Sequence, residues 1–225
     1  LLSSQLLLAA DGQHSACRKM LDIQANSKTT EHALLTNVTL KASHNNIAYE
    51  RFTKKGTIAL LPLTHEQCKL VITGSENQIH YWQNLSDDVF IASLQKLFGA
   101  FAGTFTAISK RIHYPLTEMT VEQQTKGRAI LLGNAAHSIH PIAAQGLNLA
   151  IQDLMKLSNL INNTQGDIDS TELLASYEKS IKPTQSKTMK LTKALSKMRG
   201  GFINRSALAL VASCPMLKST IANQA

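Results

Sequence analysis

The stretch from Gly127 to Leu160 constrains the fold of this chain more than any other. It opens with a basic residue, Arg128, followed by a short apolar run, Ala129 to Leu132, that reads as a buried strand. Gly133-Asn134 and a small-residue turn with two histidines come next, then Pro141. Gln145-Gly146 leads into a helix, with apolar positions Leu147, Ile151, Leu154 and Leu157 at three-to-four spacing predicting its buried face. Strand, glycine turn, proline-braced loop and helix N-terminus follow in that order. Such a unit can turn backbone N–H groups and the positive end of a helix dipole toward an electron-rich ligand.

Gly133-Asn134-Ala135-Ala136-His137, Pro141 and Ala144-Gln145-Gly146-Leu147-Asn148 together resemble the second flavin-binding motif of the FAD-dependent aromatic hydroxylases built like p-hydroxybenzoate hydroxylase. Asn134 stands where that family usually has Asp, as in its ubiquinone-biosynthesis branch, especially the 2-polyprenyl-6-methoxyphenol hydroxylases. An Asn can still hydrogen-bond a ribityl hydroxyl, without a charge. Ala144 stands where the family usually has Gly, and a turn needing positive φ disfavours a side chain there. A second motif of the family is matched by Ala10-Asp11-Gly12, Ser15 and Arg18, which there shapes the site for the flavin pyrophosphate and the nicotinamide coenzyme. YPLT, Tyr114 to Thr117, is a phrase typical of the same family. Tyr114 reads either as a pocket residue or as a packed core or rim tyrosine.

The resemblance implies an α+β and α/β chain, a fragment of the p-hydroxybenzoate hydroxylase-like fold. Residues 1–25 are expected to be the remnant of an FAD-binding domain, and 26–125 an antiparallel substrate-domain sheet with one face over a substrate pocket. Residues 126–165 then hold the second flavin motif, and 166–225 the C-terminal basic helices. Within the sheet, Leu34–Leu40, Ile47–Phe52, Thr57–Leu63, Lys69–Thr73 and Ala107–Thr117 are predicted strands, with turns at Asn45-Asn46 and Lys54-Lys55-Gly56. Ser86-Asp87-Asp88 caps a helix whose predicted apolar face is Val89, Ile91, Leu94, Leu97 and Phe98, ending at Gly99. A helix starting at Ser170 or Thr171 is expected to kink or restart at Pro183. A basic helix follows over Lys187–Met198, Gly200-Gly201 breaks it, and a last apolar helix runs from Phe202 to Leu217.

By the same resemblance the protein is a flavoprotein monooxygenase with FAD and NAD(P)H as cofactors. The substrates are O₂ and a polyprenylated phenol of ubiquinone biosynthesis, with other ubiquinone-biosynthesis proteins as partners. The expected cofactor-binding residues are Asp11, Gly133, Asn134, Pro141, Gln145, Gly146, Leu147 and Asn148. No catalytic acid, base or nucleophile stands out, which suits a reaction whose hard chemistry is the cofactor's. Two other readings stay open: a non-catalytic lipid-binding or assembly module of the same fold, and a sister hydroxylase with a soluble substrate. The family's first motif, a G-x-G-x-x-G turn for the ADP part of FAD, is not formed by any of the 11 glycines. The opening LLSSQLLLAADG therefore reads as a chain already inside its fold. A truncated form, a misplaced start and a decayed gene are the three explanations, and weak FAD binding by the chain alone is the expectation.

His137 and His140 are three apart, but neither a Glu nor a third ligand accompanies them, so no metal is expected. Three scattered cysteines (Cys17, Cys68, Cys214) form neither a metal spacing nor an even disulfide set and fit a reducing compartment. No apolar run approaches a membrane span. The net charge of +8 is unevenly placed. Nine of the 23 basic residues lie from Lys179 onward, with no Asp or Glu after Glu178, leaving 14 basic against 15 acidic residues in the rest. That basic segment reads either as a solvated helix face or as an anchor to anionic lipid. The location expected is cytoplasmic, peripheral on the inner membrane. Nucleic-acid binding is not expected, because interleaved aromatics are missing beyond Phe202.

Overall fold

A computed structural model describes residues 3–53, 56–141 and 145–198. Lys54, Lys55, Ala144, the Gly200-Gly201 break, the Phe202–Leu217 helix and Cys214 lie outside the described residues. In chain order the elements begin with β1 (Leu7–Ala9), α1 (Ala16–Met20), β2 (Ala25–Leu40), β3 (Tyr49–Thr53), β4 (Gly56–Thr64) and β5 (Gln67–Gly74). Helices α2 (Glu76–Asn84) and α3 (Asp87–Phe98) precede β6 (Phe105–Ile108) and β7 (Ile112–Val121). Then come β8 (Thr125–Lys126), β9 (Ala129–Leu131), a 3₁₀ turn (Gly133–Ala135), β10 (His137–Ser138), α4 (Gln145–Asn163) and α5 (Thr171–Met198). The chain divides into two compact units, one of residues 29–116 and the other of 3–28 with 117–198.

In the first unit the strands run in the order β7-β2-β5-β4-β3, with β6 pairing the end of β2. The pairings of β2 with β5, β3 with β4 and β4 with β5 are antiparallel. Period-two alternation puts Leu34, Val38, Leu40, Leu60, Cys68 and Leu70 on one face, all buried. Phe90, Leu94 and Phe98 of α3 and Ile79 of α2 pack into the same core. Each large apolar side chain fully buried there contributes about 1.5–3 kcal/mol. The opposite face, with Leu35, Ala59, Leu61 and Val71, is only partly covered or exposed.

The turn at Asn45-Asn46 forms with both residues at positive φ, 51° and 57°, which Asn tolerates. The Ser86 hydroxyl accepts from Val89 N–H, and α3 ends at Gly99 with φ 67°. Its buried face is Phe90, Leu94 and Phe98; Val89 is exposed, a correction to the predicted stripe. The strand expected over 107–117 is two strands, broken at residues 109–111, because Arg111 turns away to serve the helices. Its guanidinium donates to the Trp82 and Leu85 carbonyls, at 3.1 and 2.6 Å, and to Asp87 at 2.8 Å. It also lies 5.2 Å from the Phe90 ring centre, within cation–π range. One cation thus satisfies carbonyls at the end of α2 and a carboxylate in the first turn of α3. The sequence reading missed α2, although Ser75 and Gln78 form a capping box at its start.

In the second unit β1 pairs parallel with β9, and β8 pairs antiparallel with β9. Ile130, Leu157, Leu173, Leu174, Tyr177 and Ile181 form a core between β9 and the α4–α5 pair. α5 runs through Pro183 without a new start. A proline there removes an N–H from the helix ladder. Beside it, Lys156 of α4 donates to the Ser180 carbonyl at 2.9 Å and to the Thr184 hydroxyl at 2.5 Å, which ties α4 to α5 on either side of Pro183. The face of α4 that is buried is Leu149, Asp153 and Leu157, while Leu147, Ile151 and Leu154 are exposed, which corrects the predicted stripe. Apolar residues occur around most of this helix, so periodicity admitted more than one stripe.

Three histidines meet in the first unit. His32 Nδ1 lies 2.8 Å from His113 Nε2, and the His80 ring meets His113 edge-on at 5.2 Å. Burial, then the neighbouring His32 and His80, lower the His113 pKa below its ordinary 6.5, against an opposing pull from Glu76. The unfolded chain therefore takes up this proton at a higher pH than the folded one. Stability from this group is complete above about pH 6.5 and falls as pH drops through that value, levelling off once the folded form is also protonated. Thermal melts between pH 7.5 and 5 should show a smaller loss for His113→Gln than for the parent; equal losses would remove His113 as the cause.

Candidate functional site

The parallel pairing of β1 with β9 matches Leu7 with Ala129 and Ala9 with Leu131. Both strands therefore end side by side, and Leu132 N–H donates to the Ala9 carbonyl at 2.9 Å. Asp11 follows the first strand and Gly133 the second. Ligands of open α/β sheets bind beyond such carboxyl ends.

Each turn is built for that position. Asp11 accepts from the Ser15 hydroxyl at 2.5 Å and from Cys17 N–H at 3.0 Å. These bonds, the hydroxyl first, hold its carboxyl down at about 2. Ser15 in turn caps α1 by accepting from Arg18 N–H at 2.9 Å. Arg18, buried, donates to the Ala135 carbonyl at 2.8 Å and to the Gln13 carbonyl at 2.8 Å. A residue of the first motif thereby ties down the turn of the second across 117 positions of sequence. Gly133 has φ 57°, the left-handed region, and a Cβ built on it would lie 3.6 Å from the Ala150 Cβ. Glycine is favoured for the backbone here, by about 1–2 kcal/mol over most L side chains.

Asn134 is exposed and makes no hydrogen bond with the described residues. Pro141 is exposed as well, and residues 142–144 lie outside the description. α4 begins at Gln145, with Gly146, Leu147 and Asn148 in its first turn and no acidic residue there. The first N–H groups of a helix have no partner within it, here those of Gly146 and Leu147, and the first turn of α4 carries no acidic residue to offset its positive end. Gly133, Asn134 and the α4 start thus present an exposed amide and helix-end N–H groups. This donor set fits the polyhydroxylated chain and electron-rich ring of a flavin. Asp11 is exposed, and each of its oxygens accepts one bond from its own turn, which leaves each a further lone pair to offer a ligand.

Below the loop lies a buried polar chain that the sequence reading did not assemble. His137 Nε2 donates to Asp153 Oδ2 at 2.8 Å, the two side chains being 2% and 1% exposed. The Gln185 amide donates to the same oxygen at 2.7 Å, and the Gln124 amide donates to Gln185 Oε1 at 2.7 Å. Glu178 accepts from the Gln124 and Thr125 N–H groups at 2.6 and 3.1 Å. The bond of His137 is structural and reaches out of the loop to α4. The signal for Asp153 was an acid four residues from Leu149 and from Leu157 on an apolar helix. Tyr177 lies buried nearby, its hydroxyl unpaired among the described residues. Burial first, then Asp153 and Glu178, push its pKa up. Burial lowers the pKa of His140, with Glu118 opposing. Among the described residues no group of three His, Cys, Asp or Glu side chains is placed to hold a metal ion.

Ubiquinone hydroxylase UbiM of Neisseria meningitidis is 33% identical over 181 residues, 79% of this chain and 39% of that protein. Ubiquinone hydroxylase UbiL of Rhodospirillum rubrum is 29% identical over 210 residues, 92% of this chain and 49% of that protein. The chain spans less than half the length of these curated relatives. Among solved structures, PqsL, a probable FAD-dependent monooxygenase from Pseudomonas aeruginosa, superposes with a TM-score of 0.69 at 20% identity. That match covers 87% of this chain and 56% of PqsL, and the fold is that of these flavoproteins.

The polar chain and the exposed amide separate structural from ligand-facing roles. Asp153→Ala, which strands a buried imidazole and amide, should cost about 3–5 kcal/mol in urea unfolding. Asn134→Ala should stay within about 0.5 kcal/mol; a comparable loss in both would refute the division. The family profile described as FAD binding domain matches residues 1–192, the stretch that carries both strand ends, Arg18 and the α4 start, and the chain belongs to that family.

Proposed function

We propose that the whole protein is a flavin-dependent monooxygenase that hydroxylates a polyprenylated phenol in ubiquinone biosynthesis. The observation that carries this reading is the junction where Arg18 joins two strand ends beside the uncompensated N-terminus of α4. The kinship with ubiquinone hydroxylases supports the substrate class. When bound, FAD supplies electron transfer from NAD(P)H and delivery of one oxygen atom from O₂ to the ring. In balance, NAD(P)H, a proton, O₂ and the phenol give NAD(P)⁺, water and the hydroxylated phenol.

The residues of this chain bind and orient. Asn134 addresses a ribityl hydroxyl as an uncharged partner. Gly133 lets the backbone turn without a side chain in the way. The start of α4, with the N–H groups of Gly146 and Leu147 and with Asn148 beside them, stabilises negative charge on the reduced ring system, and Gln145 and Pro141 bound the loop that approaches it. Asp11 binds the cofactor from the first turn, and its bond to Ser15 steadies the turn that carries Arg18.

The test uses the whole protein, a polyprenylated phenol, NAD(P)H and ¹⁸O₂. One ¹⁸O atom should enter the ring, with NAD(P)H consumed in equal amount. Asn134→Ala should weaken FAD binding about two- to tenfold, the worth of one hydrogen bond. NAD(P)H use without labelled product, or no FAD binding, would overturn the proposal, and turnover of a soluble phenol alone would shift the substrate class.

We further propose peripheral attachment to anionic membrane through α5. Lys179, Lys182, Lys187, Lys190 and Lys193 are all exposed on it, and only Lys182 has a carboxylate nearby, Glu178 at 3.6 Å. Each free lysine near an anionic surface contributes about 1 kcal/mol. No described helix is long and apolar enough to cross a membrane. Cosedimentation with phosphatidylglycerol vesicles should be strong at low salt and lost at high salt; absence of binding at every salt concentration would end this reading.

A further inference from the structure

The sheet-and-helix unit holds a cavity of about 660 Å³, in the size range of small-molecule sites. It lies on the face of the sheet that α2 and α3 cover, toward the edge strand β3. Every lining residue falls within Thr29–Leu116, so none belongs to the junction of β1 and β9. Its floor is apolar: Ile58 and Ile72 come from the sheet, Leu97 and the Trp82 ring from the helices.

The rim has the opposite character. Arg51 of β3 and Lys96 of α3 stand at it, and neither has a carboxylate partner among the described residues. Arg51 donates one N–H to the Leu97 carbonyl, which fixes the guanidinium at the cavity edge and leaves its remaining donors unspent. Gln78 spends its side-chain oxygen on Ser75 N–H at 2.9 Å, so its NH₂ is the group left to offer. No Asp or Glu is among the described residues of the lining. Two cations at the last turn of α3 also complement the helix dipole, but that role requires neither the apolar floor nor the acid-free rim.

We propose that this cavity binds an amphipathic anion, its charged head on Arg51 and Lys96 and its apolar body over Ile58, Ile72 and Trp82. A guanidinium and an ammonium on one rim bind a carboxylate by charge-assisted hydrogen bonds, and the floor excludes ligands that are charged throughout.

Trp82 is the chain's single tryptophan, so its emission reports on this cavity alone. The full chain is titrated with decanoate below its micelle concentration, with decanol and acetate as probes of body and head separately. Decanoate should give a saturable one-to-one change, and acetate none. The Arg51→Gln/Lys96→Gln double variant should bind decanoate at least tenfold more weakly and decanol unchanged. Ser93→Phe, which fills the cavity without changing charge, should abolish both responses. Should the double variant melt early, Lys96→Gln alone, at an exposed position, should still weaken decanoate about threefold. No saturable response to decanoate, or equal decanoate affinity in parent and charge variants, would overturn the proposal.

Discussion

The candidate site depends on one parallel pairing, β1 against β9, and on the arginine that locks it. Two three-residue strands are a weak pairing by themselves. Arg18 makes the junction rigid because a buried guanidinium must satisfy its donors, and the nearest acceptors are carbonyls of the two turns. The arrangement of the candidate site follows from that lock. It sets Asp11 and Gly133 side by side, and Gly133 in turn rests on α4. Preorganisation of this kind lets uncharged donors serve an electron-rich cofactor, since little has to move when charge develops.

Much of this was legible because the motifs are local and ordered. Asn45-Asn46, Ser86 and Gly99 announced their turns and caps through backbone chemistry that acts within a few residues. The strand, the turn and the helix start of the candidate flavin loop were readable for the same reason. The buried face of α4 was not: Leu147, Ile151 and Leu154 form a stripe as regular as Leu149 and Leu157, and what selects between them is the Asp153 link to His137. A polar pair between distant elements leaves no periodic trace. Arg111 is a similar case, since only the fold shows that one side chain can close two helix ends and so break a strand.

Pro183 illustrates how a local rule yields to packing. Its sequence context predicts an interruption of α5, yet the helix continues, and Lys156 of the preceding helix α4 bonds residues on either side of the proline. The same lysine carries no carboxylate partner there; its charge is spread over a carbonyl and a hydroxyl. Lysine accordingly appears in this chain in two distinct settings, as a backbone donor beneath α5 and as free charge along its outside.

The site-bearing unit is discontinuous, made of residues 3–28 and 117–198 with Thr29–Leu116 inserted between them. The ends of the insert meet, since the Thr30 hydroxyl donates to the Leu116 carbonyl at 3.4 Å. This sets an order on folding. Bringing β1 to β9 through a disordered connection costs loop-closure entropy with little return, whereas an insert that has already folded delivers both flanks to the same place. The contact between Thr30 and Leu116 shortens the effective connection across the insert once it is folded, and β1 waits on the synthesis of β9 before it gains its partner.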